Sequence, residues 1–136
     1  MTQALLDAGI PAERLAPVER DAELARFLRH HFPRLRTVEG DAMRLPTLLR
    51  DQGVGEVAAV VSSLPLLSLP AEVVDGIVRG VFTALPKGGA LVQFTYGPSP
   101  PIPRALRHGL SLDGTRGRRI WRNVPPAVVW TFRKPA

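Results

Sequence analysis

Four polar positions, Glu19, Asp41, the pair Ser62 and Ser63, and Tyr96, each close a short apolar run. A carboxylate only accepts hydrogen bonds, so Glu19 could take the two hydroxyls of a ribose, as an acid does at a strand end in nucleotide-binding sheets. It could equally be a turn acid ahead of the helix cap at Asp21. Asp41, in Gly40-Asp41-Ala42, could accept from the exocyclic amine of an adenine, with Gly40 allowing close backbone approach. An aspartate there is also a good cap for the next helix. In VVSSLPLL, residues 60–67, Leu64-Pro65 takes the backbone off helical geometry. That would leave the Ser62 and Ser63 carbonyls free to orient an amine. The plain alternative is a strand ending in a proline turn.

Such residues can converge only if strand ends share one edge, and the patterning along the chain provides for that. A short helix over Gln3–Ala8 is capped by Thr2 and stopped by Gly9 and Pro11. Leu15–Glu19 reads as a strand, and Asp21 caps a helix with Leu24, Phe27, Leu28 and Phe32 on one face. A strand over Leu35–Glu39, a helix over Leu45–Asp51 and an all-apolar, buried strand over Val57–Ser62 follow. A helix over Ala71–Leu85, a strand over Ala90–Tyr96 and a proline-rich loop over Gly97–Pro103 come next. Two strands, Leu110–Asn123 and Ala127–Arg133, suggest an antiparallel hairpin at a sheet edge. Strands alternating with helices imply an α/β fold with a mostly parallel sheet, in which ligands lie beyond the carboxyl ends of the strands.

Composition narrows the chemistry. The 136 residues, 45% hydrophobic, suit a single domain. Without cysteine there is no disulfide framework and no thiolate zinc site, and the expected compartment is the cytoplasm. The adjacent His30 and His31 would point about 100° apart on a helix, so no metal site is expected and the histidines read as surface residues. Val57–Leu69 and Ala90–Phe94 fall short of the ~20 residues a membrane helix needs, and the first residues lack the pattern of a signal peptide. The net charge of +6 is uneven: residues 104–136 carry eight Lys or Arg against one acid, residues 1–103 ten against eleven. A basic last quarter favours an anionic partner, nucleic acid or an acidic membrane face, unless it is only a solvated arginine-rich surface.

Several blocks resemble a known family: Val18-Glu19-Arg20-Asp21, Glu39-Gly40-Asp41-Ala42, residues 60–67, Leu91-Val92-Gln93-Phe94-Thr95-Tyr96-Gly97-Pro98, and residues 119–127 (RIWRNVPPA). They are similar to successive blocks of the bacterial phospholipid N-methyltransferases, and the last two are the more particular to that family. The resemblance implies a Rossmann-like class I methyltransferase sheet of seven strands whose last two are antiparallel. It implies S-adenosylmethionine as cofactor, bound by Glu19, Arg20, Asp41, Ala42 and Ser62, and methylation of phosphatidylethanolamine positioned by Ser62, Ser63, Pro65 and Tyr96. The protein is then expected to work in the cytoplasm, peripherally on an anionic membrane, with Trp121 and Trp130 suited to the interface unless they are simply packed in the core. A glycine-rich cofactor turn is expected ~20 residues before Glu19, which falls before Met1, so the first strand and that turn are expected to be missing. One rival is an enzyme like the ribosomal RNA adenine N6-methyltransferases. Their Asn-Leu-Pro-aromatic block faces Ser63-Leu64-Pro65-Leu66 here, without the amide or the stacking ring, which makes nucleic acid the lesser expectation. The other rival is an inactive fragment that only binds anionic membrane.

Overall fold

The structure, a computed structural model, describes residues 2–120 and 127–135, with side chains 118–120 left aside. The chain divides into two compact units, residues 1–53 and 54–136.

In the first unit, helix α1 (Thr2–Asp7) and a 3-10 turn (Ala12–Arg14) precede strand β1 (Val18–Glu19), helix α2 (Ala22–His31) and strand β2 (Val38–Glu39). β1 and β2 are parallel, with Glu19 opposite Glu39, and α2 is the crossover that parallel neighbours require. Both strands are shorter than the apolar runs suggest: Pro17 has no N–H to give and contributes only its carbonyl, to Val38 N at 2.7 Å. Asp21 caps α2 as expected, accepting from Glu23 N (2.8 Å) and Leu24 N (3.1 Å). The helix packs on its strands through Ala25, which is fully buried, while Leu24 and Phe27 are 52% and 55% exposed. The expected apolar face is therefore largely open, because the small side chain is the one turned inward. Phe27 instead stacks on His31 at 5.1 Å. A 3-10 turn (Ala42–Arg44) leads into α3 (Leu45–Asp51), whose Leu45 and Leu49 join Leu35 and Val38 in the core. Glu13 and Arg34 form an exposed ion pair. The backbone N–H of Glu13 and then the Arg34 guanidinium hold the Glu13 carboxyl below its ordinary pKa.

The second unit is a four-stranded sheet in the order β3 (Ala59–Ser62), β4 (Ala90–Thr95), β6 (Ala127–Arg133), β5 (Asp113–Ile120). β3 and β4 are parallel, joined through α4 (Ala71–Ala84). Val74, Ile77, Val78 and Val81 of α4 recur at helical spacing and are all buried. β3 is only half-buried, not the fully buried strand its sequence suggested, because β4 is its single strand neighbour among the described residues. The last two strands are antiparallel, as expected, but the hairpin does not simply add to an edge. β6 inserts antiparallel between β4 and β5, which burial of Ala127, Val128 and Phe132 explains. β5 begins at Asp113, later than Leu110, and carries a register shift between Arg116 and Arg119. Gly114 lies opposite Phe132, and a Cβ there would meet Phe132 Cε1 at 2.8 Å, so the ring covers the glycine. A short helix, α5 (Arg104–Gly109), occupies a stretch that the sequence reading left between the proline loop and the hairpin. Residues 121–126 of the expected hairpin, with Trp121 and most of the 119–127 block, lie outside the described residues.

Candidate functional site

In the first unit the parallel pairing of β1 and β2 puts Glu19 and Asp41 at the same edge, beyond the carboxyl ends of neighbouring strands. The two are linked through backbone, with Gly40 N donating to the Glu19 carbonyl at 2.9 Å. Glu19 Oε1 accepts from Asp21 N at 3.1 Å, so the carboxylate turns toward the start of α2. Asp41 Oδ1 accepts from Met43 N at 2.9 Å and caps the 3-10 turn. The capping alternative therefore holds for Asp41, while Oδ2 takes no part in the cap. Gly40 does allow a close approach, but within the protein: a Cβ there would meet both Leu48 methyls at 2.6 Å. A larger residue there would require the Leu48 side chain to move. Arg20 is exposed and Ala42 half-buried beside these acids.

Glu19 lies opposite Glu39, and Asp41 follows two residues on, past the end of the neighbouring parallel strand. Gly53 and Gly55 follow a helix, and Gly88 and Gly89 end one, so neither pair makes a strand-to-helix turn.

In the second unit Ser62 ends β3 opposite Gln93 of β4, and Tyr96 follows the end of β4. The segment from Ser62 to Ser68 is a compact turn. Ser62 Oγ accepts from Leu64 N (3.2 Å), Leu66 N donates to Leu64 O (2.8 Å), and Ser68 N donates to Pro65 O (2.9 Å). The middle bond closes a three-residue turn about Pro65, whose fixed φ suits the inverse form. Ser62 Oγ is thus engaged in holding the turn, whereas Ser63 is exposed. The turn neighbours Tyr96, since a Cβ on Gly97 would come within 3.3 Å of Leu67 Cδ1. Around it Leu64, Leu67 and Tyr96 are 37%, 52% and 60% exposed, although Leu66 is buried. Behind it lies a cleft of about 240 Å³ lined by apolar residues including Leu66, Leu67, Val74 and Pro101.

One residue of this unit escaped the sequence reading. Gln93, 1% exposed, donates from Nε2 to Leu64 O (2.8 Å) and Phe94 O (3.0 Å). The available signal was a single amide within the otherwise apolar run ALVQF. Trp130, which an interfacial role would turn outward, is packed instead: its ring stacks on Phe132 at 5.8 Å and its Nε1 is buried. His30, His31 and His108 are exposed. Among the described residues no group of three or more His, Asp or Glu could hold a metal ion, and no helix is long and apolar enough to cross a membrane.

No protein-family profile matches the chain. The ornithine lipid N-methyltransferase of Singulisphaera acidiphila is 34% identical over 101 residues, covering 72% of this chain and 53% of the relative. The chain thus spans about half the length of the curated relative it matches. Among solved structures, TrmN from Thermus thermophilus superposes with a TM-score of 0.66 at 15% identity, covering 98% of this chain and 40% of that one. The crystal structure of a putative rRNA-methylase from Clostridium thermocellum gives 0.59 at 13% identity, covering 99% and 80%. The structural likenesses speak for fold, and the sequence match places the chain near a lipid-modifying enzyme. The chain has the Rossmann-like α/β fold of these solved structures, and in sequence it is similar to a lipid N-methyltransferase.

Proposed function

We propose that the protein of which this chain is a part transfers a methyl group from S-adenosylmethionine to the amine of a phosphatidylethanolamine-type lipid. The observation that carries the lipid reading is the apolar rim of Leu64, Leu67 and Tyr96 around the Ser62–Ser68 turn. A site for a nucleobase is better served by an amide and a stacking ring at that turn, where this chain has Ser63 and Leu66.

In this reading Glu19 and Asp41 hold the ribose and adenine, with Arg20 and Ala42 beside them. Bound S-adenosylmethionine supplies an electrophilic methyl group on a sulfonium. The work left to this chain is alignment: Ser63, with the Ser62 carbonyl and the turn at Pro65, directs the amine lone pair in line with that methyl. The nitrogen gains the methyl as its bond to sulfur breaks. The amine must first shed a proton, which passes to solvent, directly or relayed through the Tyr96 hydroxyl. Leu64 and Leu67 exclude water from the reacting amine and meet the glycerol end of the lipid. The protein acts from the cytoplasm at an anionic membrane surface, where the arginines of residues 104–136 meet the headgroups.

Replacing Leu64 and Leu67 together by Ser in the full-length protein tests the role of the rim. The expected result is a several-fold rise in KM for phosphatidylethanolamine vesicles with the Kd for S-adenosylmethionine within twofold of wild type. An unchanged KM would remove the rim from lipid binding.

A further inference from the structure

Gln93 is a buried amide in the middle of a strand, and its side chain is spent on a turn in another part of the sheet. The Leu64 carbonyl can accept two hydrogen bonds and receives both from within the unit, one from Gln93 Nε2 and one from Leu66 N, each at 2.8 Å. It is therefore withdrawn from any substrate. The Phe94 carbonyl takes the other Gln93 proton at 3.0 Å, so both donors of the amide are used and its orientation is fixed. Ser62 is paired with Gln93 across the β3–β4 ladder, which anchors the clamp where the turn leaves the strand. Ser62 Oγ is likewise spent, on Leu64 N.

From this geometry we infer that Gln93 is a positioning residue that locks the Ser62–Ser68 turn and decides which of its groups meet the substrate. With Leu64 O and Ser62 Oγ both engaged, the exposed Ser63 is among the polar groups that the turn still offers. Gln93 itself does not reach substrate, being 1% exposed. The inference rests on the reading that this turn orients the acceptor amine. A clamp of this kind acts on alignment, where misplacement of about 1 Å can cost on the order of 100-fold in rate.

Two variants of the full-length protein test it. Gln93→Met keeps the length and burial of the side chain but has no N–H. Gln93→Glu retains a donor only when its carboxyl is protonated, and burial raises the pKa of that group. Amide hydrogen exchange across residues 62–69 reads the turn directly, without substrate. Methyl transfer to phosphatidylethanolamine vesicles and the Kd for S-adenosylmethionine read its consequence. For Gln93→Met the expected result is faster exchange at Leu66, kcat lowered roughly 10- to 100-fold, and a cofactor Kd within twofold of wild type. For Gln93→Glu the activity relative to wild type rises as pH falls. Unchanged exchange, or faster exchange with unchanged kcat, would overturn the inference. So would a Gln93→Glu to wild-type ratio independent of pH, which also decides the matter if Gln93→Met fails to fold. If wild type transfers no methyl to the lipid, it is the substrate reading that fails. The clamp is then judged on the exchange data alone, where unchanged protection of Leu66 would still refute it.

Discussion

Changing Asp41 to Asn separates the two duties this residue carries. Oδ1 caps the 3-10 turn through Met43 N at 2.9 Å, and asparagine caps as well as aspartate, so the turn should survive the change. The proposed adenine contact should not survive. An exocyclic amine needs an acceptor, and Asp41→Asn puts an amide N–H or an uncharged oxygen where the carboxylate was. A hydrogen bond to a charged group contributes about 1.5–3 kcal/mol. At 1.4 kcal/mol per tenfold, the Kd for S-adenosylmethionine should rise roughly 10- to 150-fold. Asp41→Ala loses the contact and the cap together, and the cap contributes about 0.5–2 kcal/mol to stability. Titration calorimetry and thermal unfolding of the full-length protein read the two effects. The Asn variant should bind weakly and melt like wild type, while the Ala variant should bind weakly and melt lower. Wild-type affinity in the Asn variant would show that Asp41 is only a cap.

Two further predictions concern folding. Gly114→Val places a side chain against the Phe132 ring, where even a Cβ would lie 2.8 Å from Cε1, and overpacking of this kind costs about 1–3 kcal/mol; denaturant unfolding with a wild-type midpoint would refute the packing described. The Glu13 pKa is lowered in the folded state, so its stabilisation is present above the unfolded carboxylate pKa and is lost as pH falls through the lowered folded value. Because the pair with Arg34 is exposed, Arg34→Ala should raise the Glu13 pKa in an NMR titration but hardly change the melting temperature, and an unmoved pKa would show that Arg34 does not act on Glu13.

Elements were legible where local pattern and tertiary contact agreed. Val74, Ile77, Val78 and Val81 announce α4 in the sequence and are buried in the structure. The hydrophobic face of α2 was equally plain in the sequence, yet Ala25 is the residue that packs, because a crossover helix lying close to short strands has room only for a small side chain. The strand order was not legible: β6 pairs with β4 across more than thirty residues of chain, and nothing in AVVWTFR says which neighbour it takes. Helix α5 was hidden by its length, with Leu106 as its one buried residue. At the candidate site the acids could be read as strand-end residues, and the sequence left their capping role as an open alternative for Asp41. The Gln93 clamp could not be read, since its partner, Leu64 O, is a backbone atom 29 residues away. For Trp130, residue type left interface and core both open, and stacking on Phe132, two residues along the same strand, shows the packed alternative.

The central claim is methyl transfer to a lipid amine, and labelled methyl transfer by the full-length protein tests it most directly. With S-adenosylmethionine carrying a labelled methyl group, and phosphatidylethanolamine vesicles and ribosomal RNA offered together, the label should appear in the lipid and be lost on replacing Glu19 by Ala. Label in the RNA, or in neither acceptor, would contradict the account.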